Sequence, residues 1–494
     1  MTTSIPKLAF TGRILLLGSG SVSQCLQPLL LRHLDMDFTR LTVMDFEDLA
    51  HTAAEVTAAG GTYVRERITP ENIETKLAEY VGDGDLLINL AWNIDTPTII
   101  DWCQRHGTLY VDTSVEEWDP YADQLNATPQ SRTLYARHMR LREKAKSWKA
   151  DGPTAVVEHG ANPGLVSHWT KVALTDIATA MLKEPERLAR PLDEAHRARL
   201  EEALAGRDFA ALGKETGTKV IHISERDTQI GDKPKQVGEF VNTWSVEGFY
   251  EEGIAPAELG WGTHEPSLPE HAYTHESGPQ NQICLAQTGI TTYVRSWVPL
   301  GGPIVGMVVR HGEAFTISDH LTVWEDGQAV YRPTVHYAYL PTDAAMASLY
   351  ECRMNGYQLQ TDQRIMNDEI VSGIDELGVL LLGHELNGWW VGSQLSIDES
   401  RALVAHQNAT TLQVAASVLG AVYWMVQNPN KGLCVPDDLD HETVLSVANP
   451  YLGPVPSVHT DWTPRSAHYE PFANFRPASG DDSEPWAFAN FLVS

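Results

Sequence analysis

The first 165 residues alternate short apolar runs with stretches of helical periodicity. The apolar run Ile14–Leu17 leads directly into Gly18 and Gly20, and residues 22–31 follow with the pattern of a helix. A run without polar residues is typical of a parallel strand buried on both faces. The same alternation continues, with strands predicted at 13–17, 41–44, 85–90, 108–112 and 155–159 and helices at 71–80 and 97–105. We therefore predict a doubly wound α/β domain whose ligand crevice lies beyond the carboxyl ends of the strands.

The pattern changes after residue 166. Residues 177–213 are charged and rich in alanine, which predicts helices. Alternating apolar positions then predict strands at 219–225, 239–246, 290–298, 304–310, 314–323 and 330–340. This indicates a second domain of the α+β class with a mixed or antiparallel sheet, followed at 401–427 by one long apolar helix that packs back on the first domain. The expected divisions of the chain are 1–165, 166–400 and 401–494.

The glycine pair is the first sign of a cofactor. Gly18 and Gly20 allow a tight turn and a close approach of the backbone to a pyrophosphate at the start of a helix. Ser23 stands where the third glycine of the Rossmann fingerprint is usual, and Asp45 follows Gly20 by 25 residues, at the end of the second strand. An acid there binds ribose hydroxyls and repels a 2′-phosphate, which favours NAD over NADP. A flavodoxin-like sheet with an unrelated ligand is the alternative.

The composition limits the classes of molecule that the protein is expected to bind. Lysine and arginine number 36 and aspartate and glutamate 65, a formal net charge of −29. This balance disfavours nucleic acid and anionic membranes and favours a cationic ligand, although solubility alone also explains it. The five cysteines are scattered without a paired motif, the histidines are too dispersed for a metal site, and we see no signal peptide or membrane span. We expect a cytoplasmic protein without a bound metal.

Residues 158–164 follow the last predicted parallel strand at the mouth of the crevice. Asn162 suits the N-cap of a helix and Pro163 suits its first turn. In this position Asn162 is also able to contact a nicotinamide ring or a substrate. The simpler interpretation, a capped helix that joins two domains, stays open.

Two further clusters carry chemistry in the second domain. Glu225 and Glu252, with Trp244 between them in sequence, offer carboxylates and an indole face to an alkyl ammonium group. His311 and Glu313 form a pair that is able to move a proton near neutral pH. The same residues also have an explanation that involves no functional site: the acids lie in turns, the tryptophan lies in the core, and His311 and Glu313 lie in a hairpin with solvated side chains.

Six segments together resemble the bacterial homospermidine synthases. They are residues 18–23, 89–93, 111–118, 159–164, 223–229 and 242–248. The Asn-Pro-Gly segment alone resembles only the wider saccharopine reductase-like superfamily. The resemblance implies a cytosolic homodimer with tightly held NAD that is reduced and reoxidised within one turnover. It implies aminobutyl transfer from putrescine or spermidine to putrescine, through oxidation to an imine, condensation and reduction, with release of ammonia or diaminopropane.

The resemblance also suggests roles for individual residues. Carboxylates are expected to anchor the polyamine and accept protons, and these are Glu117, Glu225, Glu252 and Asp375. Trp244 is expected to form an aromatic wall with Phe249 beside the substrate, Asn162 to bond near the reacting nitrogen, and His311 with Glu313 to serve the second amine or proton transfer. Asp95 is expected to serve the substrate or the cofactor. The residues expected to line NAD are Gly18, Gly20, Ser21, Val22, Asp45, Asn89, Ala91, Asn93, Thr113 and Ser114.

Two other functions stay open at this point. A saccharopine reductase-like or carboxynorspermidine-forming dehydrogenase performs net reductive amination on carboxylated substrates and needs several arginines or lysines in its pocket. A non-catalytic NAD-sensing protein is the alternative of another class. The acids and the indole in the second domain favour the aminobutyl transferase over both.

Overall fold

The computed structural model describes residues 5–122, 127–188, 190–465, 475 and 483–493. Its helices are α1 (Ser21–His33), α2 (Ala54–Ala58), α3 (Ile73–Tyr80), α4 (Thr96–His106), α5 (Leu134–Ala145), α6 (Leu165–Lys183), α7 (Glu194–Gly206), α8 (Phe209–Thr216), α9 (Val246–Ile254), α10 (Glu313–His320), α11 (Asp343–Met354), α12 (Ile397–Leu403), α13 (Ala409–Gln427) and α14 (His441–Ala448).

The strands of the two large sheets follow the same numbering along the chain. They are β1 (Ile14–Leu17), β2 (Leu41–Asp45), β3 (Thr62–Arg65), β4 (Leu86–Asn89), β5 (Leu109–Asp112), β6 (Ala155–Val156), β7 (Val220–Asp227), β8 (Pro256–Gly260), β9 (Ala272–Thr274), β10 (Gln282–Thr288), β11 (Tyr293–Val298), β12 (Gly302–Met307), β13 (Thr334–Leu340), β14 (Ile374–His384), β15 (Asn387–Ser396), β16 (Leu433–Cys434) and β17 (Ser457–Thr460). Shorter strands pair outside these sheets: Leu8–Ala9 with Leu34–Asp35, Ile230–Gly231 with Ile370–Ser372, Glu239–Asn242 with Asp362–Ile365, and Val323–Glu325 with Gln328–Tyr331.

The first sheet is parallel and confirms the predicted doubly wound class. Within the described residues it has seven strands in the order β16-β6-β5-β4-β1-β2-β3. Strand β1 is wholly buried, as its apolar sequence requires. The chain order reverses between β4, β1 and β2, so the switch point lies above the Gly18–Gly20 turn, where this class of sheet binds its ligand. The edge strand β3 and the distant strand β16 were not predicted.

The second sheet is mixed. In the described part of the chain its main path runs β9-β10-β8-β13-β7-β14-β15-β17, with β12 also paired to β13 and β11 paired to β12. Strand β7 lies parallel to β13 and antiparallel to β14, in the centre of the sheet. Residues opposite each other in such pairs point to the same face. Glu225 lies opposite Tyr339 and Leu377, so the odd-numbered residues of all three strands share one face.

The structure corrects several predicted elements. Residues 313–320 form helix α10, although 314–323 was predicted as a strand, because the apolar positions of this short segment fit one face of a buried helix as well as a strand. The strand predicted at 239–246 ends at Asn242, and α9 begins at Val246 with a cap from Ser245. The helix predicted at 401–427 is two helices, α12 and α13, separated before the Asn408 cap of α13.

Helix α13 joins the two sheets. It packs on α1 of the first domain and also contacts β14 and β15 of the second. It is long and apolar enough to cross a membrane by composition, but nearly all of it is buried inside the protein, as in a core helix. Beyond residue 401, the described part of the chain also adds β16 to the first sheet and β17 to the second.

Candidate active site

The face of the second sheet that meets the crevice carries a cluster of carboxyl groups. Glu225 and Asp227 lie two residues apart on β7, and Asp375 lies opposite Asp227 on β14. All three side chains are buried, at 4% exposure or less. An apolar row on β7, which includes Ile221 and Ile223, leads up to them, so the sheet holds the acids at the border of its own core.

Glu225 is at the centre of this cluster. Its Oε2 accepts a hydrogen bond from the side-chain amide of Asn162 at 3.2 Å and another from the hydroxyl of Tyr337. Burial raises the pKa of Glu225 to about 7, and the negative charge of Asp227 adds to this, while Tyr337 and His311 oppose it. A carboxyl group with such a pKa is able to take or give a proton at neutral pH.

Asp227 and Asp375 meet at the start of α13. The hydroxyl of Thr410 donates to Oδ2 of Asp375 at 2.6 Å, and the side chain of Gln229 donates to both oxygens of Asp227 at 3.2 Å. Burial raises the pKa of Asp227 to about 6, and burial together with Glu225 and Asp227 raises the pKa of Asp375 well above its usual range. Without a cation nearby, these acids therefore retain protons at pH values where exposed acids have lost them.

His311 lies between two glutamates. Its Nε2 is 3.0 Å from Oε2 of Glu252 on α9, and its Nδ1 is 3.2 Å from Oε1 of Glu313, the first residue of α10. Burial lowers the pKa of His311, but the two carboxylates outweigh burial, and the net pKa is well above the usual value. The imidazolium form is thus favoured at neutral pH. The His311 ring also packs on Tyr337, with 4.4 Å between ring centroids, which joins this group to the Glu225 cluster.

An aromatic wall lines the same face. Tyr337 and Tyr339 stack in parallel at 4.9 Å, and the indole Nε1 of Trp244 lies 3.3 Å from the Tyr339 hydroxyl, to which it donates. Trp244 is partly exposed, and Phe249 lies behind it with no exposed surface. Phe249 therefore supports Trp244 by packing. A direct contact of Phe249 with a substrate stays a prediction.

The structure changes the local interpretation of Asn162. Helix α6 begins at Leu165, and Gly164, with φ of 132°, occupies its N-cap position. Asn162 therefore does not cap the helix. Its amide instead reaches across the crevice to Glu225, and this contact connects the end of the first domain to the carboxylate cluster. The backbone of residues 160–165 closes its own hydrogen bonds, including Gly160 N to Pro163 O at 2.6 Å, which leaves the Asn162 side chain free of a capping role.

The glycine turn of the first domain has the geometry of a nucleotide site. Gly18 has φ of 87°, and a Cβ there would lie 2.7 Å from the carbonyl oxygen of Leu90, so only glycine fits. A Cβ on Gly20 would meet nothing within 4 Å. Helix α1 begins at Ser21 without a side-chain cap, so its first backbone N–H groups are open to an anion. Asp45 accepts a hydrogen bond from Ser19 N at 2.7 Å, which places its carboxylate beside the turn.

The other predicted cofactor residues lie around this turn at the carboxyl ends of the strands. Asn89 ends β4, and its side chain is fixed by Tyr110 and by the backbone N–H of Ala91. Asn93 has a left-handed backbone with φ of 60°, and its Oδ1 is buried without a partner among the described atoms. The remaining members of the set are all partly exposed, namely Ser21, Val22, Thr113 and Ser114.

Two predicted substrate residues lie outside the carboxylate cluster. Glu117 pairs with Arg137 Nε at 2.9 Å and with Arg140. Asp95 caps α4 by accepting from the backbone N–H of Thr98 at 3.0 Å. Both carboxylates therefore have local partners, and a direct role toward a polyamine stays a prediction for each.

Sequence reasoning missed four members of the cluster. Tyr337 and Tyr339 were part of the strand predicted at 330–340, but no role was assigned to their side chains. Asp227 follows Glu225 by two residues, and this period of two was the available signal for it. Thr410 reaches the site from a segment 35 residues beyond Asp375, and no local pattern could have connected the two.

Comparison with known proteins identifies this architecture. A family model described as the saccharopine dehydrogenase NADP binding domain matches residues 14–156, and one described as the saccharopine dehydrogenase C-terminal domain matches residues 160–458. A Rossmann domain joined to this second domain defines the saccharopine dehydrogenase-like class.

The full-length relatives narrow the class further. Homospermidine synthase of Blastochloris viridis is 42% identical over 98% of this chain and 97% of its own, and that of Mesorhizobium japonicum is 40% identical over 98% and 96%. The crystal structure of homospermidine synthase from Legionella pneumophila, in complex with NAD, is 35% identical and covers 99% of both chains with a TM-score of 0.86. The chain belongs to the homospermidine synthase family, and the predicted family resemblance is confirmed.

Proposed function

We propose that this chain transfers an aminobutyl group from putrescine, or from spermidine, to putrescine and so makes homospermidine with NAD as its cofactor. The observation that carries the proposal is the pairing of Glu225 with Asn162. It joins a buried acid of the second sheet to the crevice of the nucleotide-binding sheet. A cationic carbon chain held by the acids then lies beside the place where a nicotinamide ring is expected.

The nucleotide site fits NAD. Gly20 leaves open space, the first turn of α1 offers uncapped N–H groups to a pyrophosphate, and Asp45 is positioned for the ribose hydroxyls. Asn93 offers a buried oxygen that has no hydrogen-bond partner in the described part of the chain. Bound NAD supplies a hydride acceptor for the oxidation of the amine and a hydride donor for the later reduction.

The acid cluster binds and orients the polyamine. Glu225, Asp375 and Glu252 receive the ammonium groups, since a buried ammonium without a partner is costly. The indole face of Trp244 and the stacked tyrosines cover the carbon chain and stabilise positive charge near the reacting carbon. Asn162 donates toward Glu225 and keeps its carboxylate directed into the crevice.

Side chains with shifted pKa values carry out the proton transfers. Oxidation requires a neutral amine, and Glu225, with a pKa of about 7, is suited to accept the proton from the donor ammonium at its Oε atoms. His311, protonated between Glu252 and Glu313, is suited to give a proton to the departing nitrogen or to orient the second amine. Two putrescines then yield one homospermidine and one ammonia, with no net oxidation.

Incubation with putrescine and a small, catalytic amount of NAD tests this proposal. We expect homospermidine and ammonia in equal amounts, many equivalents beyond the NAD present, and no lasting NADH absorbance. Amine chromatography and an ammonia assay measure both products. Glu225→Gln is expected to lose turnover while the protein still binds NAD in calorimetry. The absence of homospermidine, or NADH that rises in step with putrescine consumed, would contradict the proposal.

Net reductive amination of a carboxylated substrate is less well supported. A cavity of about 180 Å³ beside α5 is lined by Arg132, Arg137 and Arg310, which resembles a carboxylate site in composition. Two of these arginines, however, bind Glu251, at 2.5 Å from Arg137 and 2.6 Å from Arg310. Their charge is therefore largely balanced within the protein.

We also propose a cytoplasmic homodimer, and a division of the chain near residues 165 and 400 with the last segment serving both sheets. All five cysteines are free and buried, which suits a reducing compartment. Size-exclusion chromatography with light scattering is expected to give twice the chain mass of 54.6 kDa. A monomer of full activity would contradict the dimer.

A further inference from the structure

Glu158 has an unusual conformation at the junction of the two domains. It lies two residues after the end of β6, has φ of 57°, which residues other than glycine rarely adopt, and is 1% exposed. Its backbone N–H donates to Oδ1 of Asp112 at 2.7 Å, and its Oε2 lies 2.8 Å from Nε2 of His138. This buried carboxylate has no part in the chemistry proposed above.

The Glu158 carboxylate occupies the space beside Gly312. A Cβ built on Gly312 would lie 1.8 Å from Oε2 of Glu158, so the second domain approaches this carboxylate as closely as glycine permits. Gly312 is the N-cap of α10 and has no side-chain cap. A carboxylate at this end of a helix is stabilised by the helix dipole. Gly312 also lies between His311 and Glu313, the two residues whose side chains bond each other.

We propose that Glu158, held by His138, is a positioning residue that fixes the His311–Glu313 turn against the cofactor-binding domain. The inference rests on the proposed function, because His311 matters only if the polyamine reaction takes place here. The same residue begins the loop that carries Asn162 to Glu225. The backbone of Glu158 therefore helps to position Asn162, and its side chain helps to position His311. The distance between Asn162 and His311 thus depends on this one buried residue.

Gly312→Ala is the most direct test. The backbone of Gly312 has φ of −70° and ψ of −30°, which any residue adopts, so the methyl group acts only through its contact with Glu158. Displacement of His311 by about 1 Å is expected to lower kcat by about 10²-fold. NAD affinity in calorimetry is expected to stay unchanged. Gly206→Ala is the matched control, since a Cβ there meets nothing within 4 Å.

Variants of Glu158 distinguish a positioning role of this carboxylate from steric crowding by the new methyl group at residue 312. Glu158→Ala removes the carboxylate that the new methyl group would strike, so Gly312→Ala is expected to cost little further activity in the Glu158→Ala background. Glu158→Gln keeps the shape and loses the charge at the start of α10. The turn is then expected to loosen, and the pKa of His311 to fall toward its ordinary value.

The pH profile of kcat is the readout that a purely structural role would not move. If protonated His311 is the active form, activity falls as pH rises through its pKa, and the basic limb moves to lower pH in Glu158→Gln. The groups that face His311 and remain unchanged are Glu252 of α9, Glu313 of α10, Tyr337 of β13 and Glu225 of β7.

The outcomes distinguish this inference from the proposed function. An inactive wild-type protein contradicts the function itself. An active wild type with unchanged kcat and basic limb in Gly312→Ala and Glu158→Gln overturns the positioning role. If Gly312→Ala does not fold, the two Glu158 variants decide the question alone, and losses that add fully in the double variant also overturn it.

Discussion

Replacing Tyr337 by phenylalanine removes the hydroxyl that donates to Oε2 of Glu225 and leaves the ring in place. Burial raises the pKa of Glu225 to about 7, and the Tyr337 hydroxyl holds it below the value that burial alone would give. A hydrogen bond to a charged group contributes about 1.5 to 3 kcal/mol. Since one pKa unit corresponds to about 1.36 kcal/mol, we expect the pKa of Glu225 to rise by about one to two units in the variant.

The assay is kcat/KM for putrescine as a function of pH. The Glu225 carboxylate is the form that attracts an ammonium group, so activity rises as pH passes upward through its pKa, and the acid limb is expected to move to higher pH. Tyr331→Phe is the matched control, because that hydroxyl donates to Thr218 O outside the site. The other groups around Glu225 are retained in both variants, namely Asn162, Asp227, His311 and Asp375. A Y337F protein with wild-type melting and an unmoved acid limb would refute the reasoning.

Three further variants test other parts of the structure. Trp244→Ala is expected to lower turnover by about 2- to 30-fold with NAD affinity unchanged, because a cation–π contact contributes about 0.5 to 2 kcal/mol; normal turnover would exclude the aromatic wall. Asp45→Ala is expected to weaken NAD binding in calorimetry and to reduce the preference for NAD over NADP, and a wild type that prefers NADP would contradict the ribose assignment. Glu251→Ala leaves Arg137 and Arg310 buried without their shared carboxylate and is expected to destabilise the fold by about 3 to 5 kcal/mol in urea unfolding. Burial acts against ionisation of Glu251, but the two arginines outweigh burial and lower the pKa of Glu251 to about 2. The contribution of Glu251 to the stability of the fold is therefore present above about pH 4.5 and is lost as pH falls toward 2. If Glu251→Ala destabilised the fold equally at pH 2 and pH 7, this assignment would be contradicted.

The sequence contained enough information for the first domain because its signals are local. The apolar run of β1, the two glycines and Asp45 all belong to one stretch of 32 residues, and the structure brings them together at the switch point. The carboxyl group of Glu225 was found for a related reason, since it ends the strand predicted at 219–225, whereas Asp375 was proposed only from the family resemblance. Acids at the ends of apolar strands rarely serve the core alone, because their burial is costly.

The contacts between these acids could not be predicted. Glu225, Tyr337 and Asn162 lie on three separate segments, and they meet only because β7 lies parallel to β13 and the β6 loop crosses above both. The same limit explains the error at α10. Residues 314–323 mix apolar and polar positions, so their pattern alone does not decide between a strand and a helix, and α10 packs on β8 and β13, which lie elsewhere in the chain.

The charge state of the acid cluster implies a link between substrate binding and proton release. Burial raises the pKa values of Glu225 and Asp227 to about 7 and about 6, so at pH 7 the free protein holds a proton on part of its Glu225 and on a smaller part of its Asp227. An ammonium group placed among them favours the ionised forms and lowers both values. Putrescine binding at pH 7 is therefore expected to release protons, and at pH 9, where these two acids are already ionised, to release few from them. Calorimetry in buffers of different ionisation enthalpy measures this number, with Glu225→Gln as the control. Binding heats independent of the buffer at pH 7 would mean that the ammonium groups bind elsewhere.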